Sequence, residues 1–335
     1  MKVLLTGANG FLGSNIIREL NQRQIPVRAF IRKNANMKSL QGCSFEVFHG
    51  SITDRNRVLE AVEGCDYIIH AAANTAPSPN NYLHYLPVNV LGTRNLIEAA
   101  KSCHVKRLVF ISTANTIGYG DSQFPGIEIK PIIAPFTQSG YAISKCEAER
   151  YILKAVNKDK LNAIILNPTF MIGPGDAKSS SSKILFNIIN HRLVLLPNGG
   201  KNFIYVKDVA TACCEALKKG KSGERYLLAN ENKSYKEFFE LVSNLTDEKQ
   251  SVIILPKRLV GFMGFFGSLL QILGIQFDLT HVNAKILGIN NYYSGKIAEE
   301  IFDLKLTPIN MAVIDALDWF VKNEYLKQPI PTYSI

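Results

Sequence analysis

What this chain of 335 residues lacks narrows it first. Its six cysteines stand at 43, 65, 103, 146, 213 and 214, with no C-x-x-C pair and no zinc-ligand spacing. That pattern excludes a metal ribbon or a dithiol redox motif; reduced, mostly buried thiols are expected, and no metal site. No apolar run reaches the roughly 20 residues that a membrane-spanning helix needs. The most apolar stretch, Leu259–Ile275, is broken by glycines and by Gln271. Met1–Thr6 runs directly into a strand pattern with no leader-like segment, so the expected location is the cytoplasm. The formal charge is +10, yet lysine and arginine are scattered, with no basic run and no aromatic-interleaved patch. A nucleic-acid partner is therefore not expected, and most of the charge reads as solvated surface.

What is present is concentrated at the start, in MKVLLTGANGFLGSNIIREL. Val3-Leu4-Leu5 reads as a fully buried parallel strand, and apolar residues at helical spacing begin near Leu12 and continue through Ile16, Ile17 and Leu20. Between them lie Gly7, Gly10 and Gly13. A strand, glycine turn and helix in that order leave unpaired N–H groups at a helix N-terminus, a setting suited to a pyrophosphate. Gly7 suits the tight turn, Gly10 the close approach of phosphates, and Gly13 the packing of helix on strand.

Strands are expected at Val27–Arg32, Phe45–Phe48, Tyr67–His70, Leu108–Ile111 and Ala163–Leu166, with helices between them, including one over Val88–Ala100. Strand–helix alternation over roughly the first 165 residues specifies a doubly wound parallel sheet, α/β in class, with helices on both faces. At the end of the second strand an acidic residue would accept from a ribose 2′-OH, but Arg32-Lys33 stand there instead. This cation pair favours a 2′-phosphate, hence NADP(H) over NAD(H), although NAD(H) stays open. Ala71-Ala72-Ala73 closes the fourth strand with small residues against which a flat ligand can lie, and His70 reads as a packed strand-end residue.

Tyr141 and Lys145 are four apart on the helix Tyr141–Val156 and share a face. An ammonium beside the phenol favours the phenolate and lowers its pKa, so Tyr141 becomes a usable acid/base. Tyr292 and Lys296 share the spacing beside Gly295 and receive no role. Lys178–Lys183, KSSSSK, reads as a mobile loop over the site. Leu259–Ile275 reads as a cap element covering an apolar substrate pocket, with peripheral membrane contact behind Lys257-Arg258 as the minor reading.

With TGANGFLG, the Ser112-Thr113 strand end, Tyr141-x-x-x-Lys145 and Asn167-Pro168-Thr169 in order, the chain resembles an extended short-chain dehydrogenase/reductase over nearly its whole length. This is the NAD(P)-dependent epimerase/dehydratase superfamily. LTGANGFLG, VNVLGTRNLIEAA, NPTFMIGPGD and FIYVKDVATA look most like its dihydroflavonol-reductase branch and hydroxysteroid-dehydrogenase relatives. The resemblance implies a Rossmann domain from 1–166 and 203–230, interleaved with a smaller, mostly helical substrate-binding cap from 167–202 and 231–335. It implies Tyr141 as general acid/base, Lys145 tuning it and holding the nicotinamide ribose, and Thr113 bonding the substrate oxygen. Gly7, Gly10, Phe11, Leu12 and Gly13 would hold the pyrophosphate and Ser51-Ile52 would lie at the adenine. Ala71–Ala73 would run along the cofactor with Asn89 near it, and Pro168 and Thr169 would flank the nicotinamide. Two departures stand out. Many relatives have Asp in the place of Ser51, and the segment after Thr113 is one residue longer than the common pattern, which makes Ser112 the substitute for Thr113.

The activity expected is NADP(H)-dependent reduction of a carbonyl, or the reverse oxidation, on a small and fairly apolar substrate. The alternatives are an NAD-dependent nucleotide-sugar epimerase or dehydratase, which Arg32 and the apolar 259–275 stretch disfavour, and a non-catalytic dinucleotide-binding regulator, which has no need of a Thr/Tyr/Lys set. A homodimer is the family expectation.

Overall fold

The computed structural model describes residues 1–177, 181–246, 250–272 and 279–326. In chain order the elements are β1 (Val3–Thr6), α1 (Phe11–Gln22), β2 (Val27–Ile31), β3 (Glu46–His49), α2 (Arg55–Val62), β4 (Tyr67–His70), the one-turn α3 (Tyr82–Tyr85), α4 (Gly92–Ser102), β5 (Arg107–Ile111), α5 (Gly140–Asp159) and β6 (Ala163–Pro168). Then come β7 (Phe170–Ile172), α6 (Lys183–Ile189), β8 (Leu193–Pro197), β9 (Gly200–Tyr205), α7 (Val206–Glu215), β10 (Arg225–Leu228), β11 (Glu231–Ser234) and α8 (Tyr235–Thr246). The last are β12 (Ser251–Leu255), α9 (Lys257–Ile272), α10 (His281–Leu287), β13 (Asn290–Asn291), α11 (Lys296–Phe302) and α12 (Ile309–Lys322).

Seven strands form one sheet in the order β10-β6-β5-β4-β1-β2-β3, and every pairing in it is parallel. The chain winds outward in both directions from β1, the Rossmann arrangement, whose switch point lies between β1 and β4. Alternation along each strand feeds two cores. Leu5, Ile69, Val109 and Ile164 join the core packed by α1 and α7, while Leu4, Ile68, Leu108 and Ile165 join the one packed by α2, α4 and α5. Register aligns Thr6 with His70 and His70 with Phe110, so the carboxyl ends of β1, β4 and β5 share one edge, where ligands bind in such sheets.

The remaining strands make a four-stranded sheet of β11, β9, β13 and β7, and a β8–β12 pair. Segments 167–202 and 231–335 hold helices α6 and α8 to α12, with these short strands among them. The strand around 203, expected in the large domain, belongs to this second sheet. Its apolar run is the same in either sheet, and only its partners, β7, β11 and β13, decide the matter. The helix expected over 88–100 opens as a π-helical stretch, Leu86–Leu91, before α4. Leu259–Ile275 proves to be largely α9, with 273–275 outside the described residues; Phe262, Phe265 and Phe266 are exposed, and none of its described residues lines the cavity at the glycine turn. Helix α9 packs on α10. The KSSSSK loop lies partly outside the described residues, at 178–180. No helix among the described residues is long and apolar enough to cross a membrane.

Candidate active site

The glycine turn is fixed by backbone contacts. Gly7 has φ +70°, and a Cβ there would come within 2.7 Å of the Ala72 nitrogen, so the turn presses against the end of β4. A Cβ on Gly13 would stand 2.1 Å from the Gly7 carbonyl oxygen, so α1 rests directly on the turn. Gly10 is the N-cap of α1 with no side chain capping it, which leaves the first N–H groups of the helix for a ligand. This uncapped, glycine-walled helix start fits a dinucleotide pyrophosphate. The turn opens into a cavity of about 530 Å³, whose wall also holds Thr113, Tyr141, Lys145 and Thr169.

Helix α5 begins where Tyr141 needs it to. Ser139 Oγ accepts from the Ala142 N–H at 3.3 Å, and Asn80 Oδ1 accepts from the Gly140 N–H at 2.8 Å, fixing the first turn. The Tyr141 phenol lies beside the Thr113 hydroxyl, and its ring meets Tyr85 edge-on at 5.9 Å. Burial pushes the phenol up to about 12, opposed by the Thr113 hydroxyl and reinforced by Tyr85. The expected lowering by Lys145 is therefore not what sets this phenol; desolvation outweighs it. Lys145 is itself drawn down to about 7 by burial, against the pull of Glu149, one turn further along. Its Nζ donates to the Ile111 carbonyl at 2.7 Å and lies 4.1 Å from the centre of the Phe110 ring. The site thus holds a protonated phenol beside an ammonium that titrates near neutrality.

Glu149 separates the two candidate hydroxyls. It is buried, and its Oε1 takes the Ser112 hydroxyl, the Thr116 hydroxyl at 2.7 Å and the Asn167 amide at 2.9 Å; Arg225 Nε lies 3.3 Å from Oε2. Ser112 is committed to this network and Thr113 is the hydroxyl at the phenol, although both residues reach the cavity wall.

Of the other expected residues, Gly7, Gly10, Phe11, Leu12, Gly13, Ala71, Ala73, Pro168 and Thr169 line the cavity, while Arg32, Ser51, Ile52, Ala72 and Asn89 do not. Arg32 and Ser51 stand just beyond the carboxyl ends of β2 and β3, neighbours of the glycine turn along the sheet edge. Ile52 packs against Gly92, where a Cβ would meet it at 2.8 Å. Ala72 gives its N–H to Thr6 Oγ1 at 3.2 Å. Asn89 is turned inward: its Oδ1 accepts from the Asn74 N–H at 2.7 Å and its Nδ2 donates to Ser144 Oγ at 3.0 Å, bracing the loop after β4 against α5. His70 is packed as expected, between Thr6 Oγ1 at 2.7 Å and Thr93 Oγ1 at 3.0 Å, and burial drives it down to about 3, hence neutral.

Sequence reasoning missed several wall residues, among them Tyr85, Phe170, Lys201, Asn202 and Asn291. Asn202 is the best tied: its Oδ1 takes the Thr169 hydroxyl at 2.7 Å and its Nδ2 reaches Asn232 Oδ1 at 2.8 Å. The signal for Lys201-Asn202 was two polar residues opening an otherwise apolar strand, readable only once its sheet is known.

A model of the NAD dependent epimerase/dehydratase family matches residues 3–229. The chain belongs to that family. Sterol demethylase protein B of Methylococcus capsulatus is 30% identical over 263 residues, 78% of this chain and 79% of that protein. A provisionally named dihydroflavonol 4-reductase of Synechocystis is 28% identical over 330 residues, 96% of this chain and 95% of that one. The crystal structure of gox2253 superposes with a TM-score of 0.84 at 27% identity, covering 97% of this chain and 99% of that chain. The family member described here is an NAD(P)-dependent oxidoreductase of the reductase/dehydrogenase kind.

Proposed function

We propose that the chain uses NADP(H) to reduce the carbonyl of a small, fairly apolar substrate, or to oxidise the corresponding alcohol. The observation that carries this reading is the half-buried Tyr141 phenol, held protonated beside the Thr113 hydroxyl, in the same cavity as the glycine turn. The nicotinamide cofactor, when bound, supplies or accepts the hydride. The chain's own part is to hold the substrate and manage one proton. Thr113 and Tyr141 both offer an O–H to the substrate oxygen, and Tyr141 gives up its proton as that oxygen gains charge. Lys145, while protonated, favours the phenolate left behind. Phe11, Leu12 and Gly13, the first turn of α1, offer their backbone N–H groups to the pyrophosphate, while Gly7 and Gly10 shape the turn, the Gly10 N–H donating to the Gly7 carbonyl at 2.9 Å.

Arg32 and Lys33, exposed directly beyond β2 where an acidic residue would accept from a ribose 2′-OH, support the 2′-phosphate form of the cofactor. The apolar lining, with Phe170, Met171, Ile286 and Tyr293, and relatives named for a sterol and a flavonol support an apolar substrate. The deciding experiment is titration of the purified protein with NADPH and with NADH, followed by a ketone and aldehyde screen under the preferred one. Tighter NADPH binding with carbonyl-dependent NADPH oxidation is expected. Tighter NADH binding, or NAD that co-purifies and resists dialysis, would replace this reading with a nucleotide-sugar epimerase or dehydratase.

A further inference from the structure

Lys201 is the one cation of the described cavity wall that nothing described so far uses; the wall's carboxylate, Asp176, accepts from the Ser181 and Ser182 N–H groups, both at 2.9 Å. It lies in β9, which has no pairing with the seven-stranded sheet, so it reaches the cavity from the other sheet. Among the described residues its ammonium has no carboxylate and no hydrogen-bond acceptor, only the face of Phe170 with Nζ 4.2 Å from the ring centre. Burial draws it down to about 8. Lys201 is half-buried, and a partly desolvated cation without a counter-ion is costly to keep, a cost that a ligand anion would reduce.

A second group points the same way. Asn291, on β13, is the register partner of Lys201 across the parallel β9–β13 pair, and it lines the same cavity. It is buried, and its side-chain oxygen has no hydrogen-bond partner among the described residues. An amide is both donor and acceptor, and its two ends are interchangeable in assignment. Lys201 and Asn291 together therefore present an ammonium and an amide to whatever enters from that side.

We propose that Lys201, with Asn291 beside it, is a substrate-anion subsite, and that the preferred substrate carries a single carboxylate on an otherwise apolar body. Lys145 and Lys201 are the only lysine, arginine or histidine residues in the described cavity wall, and Lys145 is engaged with the Ile111 carbonyl. One free cation among apolar groups suits one carboxylate better than a diphosphate, which brings at least two charges. Phe170 holds the ammonium over its ring face while leaving the donor side open. This subsite deepens the proposed reductase function, and its test needs no turnover.

The test is calorimetric titration of the full chain with decanoate, methyl decanoate and UDP-glucose. The wild type is expected to bind decanoate about tenfold or more tightly than the ester, a difference of about 1.4 kcal/mol per tenfold. Lys201→Met should remove that preference while leaving ester affinity unchanged, and Lys201→Arg, which keeps the charge, should retain most of it. Equal binding of acid and ester by the wild type, or a preference that survives Lys201→Met, would overturn the proposal. UDP-glucose binding tighter than decanoate and lost in Lys201→Met would overturn the carboxylate in favour of a nucleoside diphosphate. NADPH oxidation is assayed separately, so a failed reductase reading is seen as such.

Discussion

The hydroxyl of Ser112 donates to the buried carboxylate of Glu149, while the hydroxyl of its neighbour Thr113 lies beside the Tyr141 phenol. Two adjacent hydroxyls at one strand end thus have separate tasks, and substitution should separate them. Thr113→Ala is expected to lower kcat/KM by about 10²-fold, the scale of losing one donor to a developing oxyanion, with Thr113→Ser restoring most of it. Ser112→Ala should leave kcat/KM within a few-fold and cost roughly 1–3 kcal/mol of stability, because a buried carboxylate loses a donor. Steady-state kinetics and thermal melts on the three variants check both halves. A larger kinetic loss from Ser112→Ala would exchange the two roles.

Tyr141→Phe removes the proton donor and keeps the ring against Tyr85. The reduction rate should fall by about 10²–10⁴-fold, the usual worth of a general acid, with NADPH affinity nearly unchanged. The pH profile carries a separate signature. The phenol, raised to about 12, stays protonated through the physiological range. Lys145, lowered to about 7 by burial, loses its charge as pH rises past that value. Reductive kcat/KM should therefore decline on the alkaline side with an apparent pKa near 7, and Lys145→Met should abolish that limb. A profile flat from pH 6 to 9 in the wild type would remove Lys145 from the mechanism.

Gly10 and Gly13 should fail in different ways. A Cβ at Gly13 meets the backbone of Gly7 at 2.1 Å, which cannot move without disturbing β4 as well. Gly13→Ala is expected to cost stability at or above the top of the roughly 1–3 kcal/mol typical of overpacking. At Gly10 the nearest atom is 3.1 Å away and the residue faces the cavity, so Gly10→Ala should melt close to the wild type while binding NADPH much more weakly. Melting curves beside cofactor titrations would show it, and equal loss of stability in both would contradict the assignment.

Arg32 is exposed, so its contribution to cofactor choice is bounded. Arg32→Ala should weaken NADPH by about tenfold and leave NADH unchanged, with the gap narrowing as salt is raised because the charge is solvent-screened. Fluorescence titration at two ionic strengths measures it. Equal weakening of both cofactors would assign Arg32 to the shared adenosine part.

These expectations also show which parts of the molecule can be read from sequence. The central strands of the large sheet are buried on both faces, so Val3–Leu5 and Leu108–Ile111 announce themselves as apolar runs, and the glycine turn is local, three glycines at two equal spacings where strand passes into helix. Residues such as Asn89 were harder. Its placement near the cofactor follows from resemblance, but its amide turns to Asn74 and Ser144, a choice made by the π-helical entry to α4. The Lys145 effect on Tyr141 was inferred from helix spacing alone, which carries no measure of desolvation, and burial proved the larger influence on both groups. Lys201 and Asn291 lie ninety positions apart, and only the pairing of β9 with β13 brings them together.

Glu149 stands on the same helix as Tyr141 and ties α5 to the ends of β5 and β6 through Ser112 and Asn167, and to β10 through Arg225. The residue that seats the helix is thus not the residue that performs the chemistry. Descendants of this chain can lose activity through one change at Tyr141 and still keep the sheet, the helix and the cavity. A change at Glu149 gives no such route, since the scaffold is disturbed along with the reaction. Inactive, fully folded ligand-binding relatives therefore lie a single substitution away, through position 141 and not through 149.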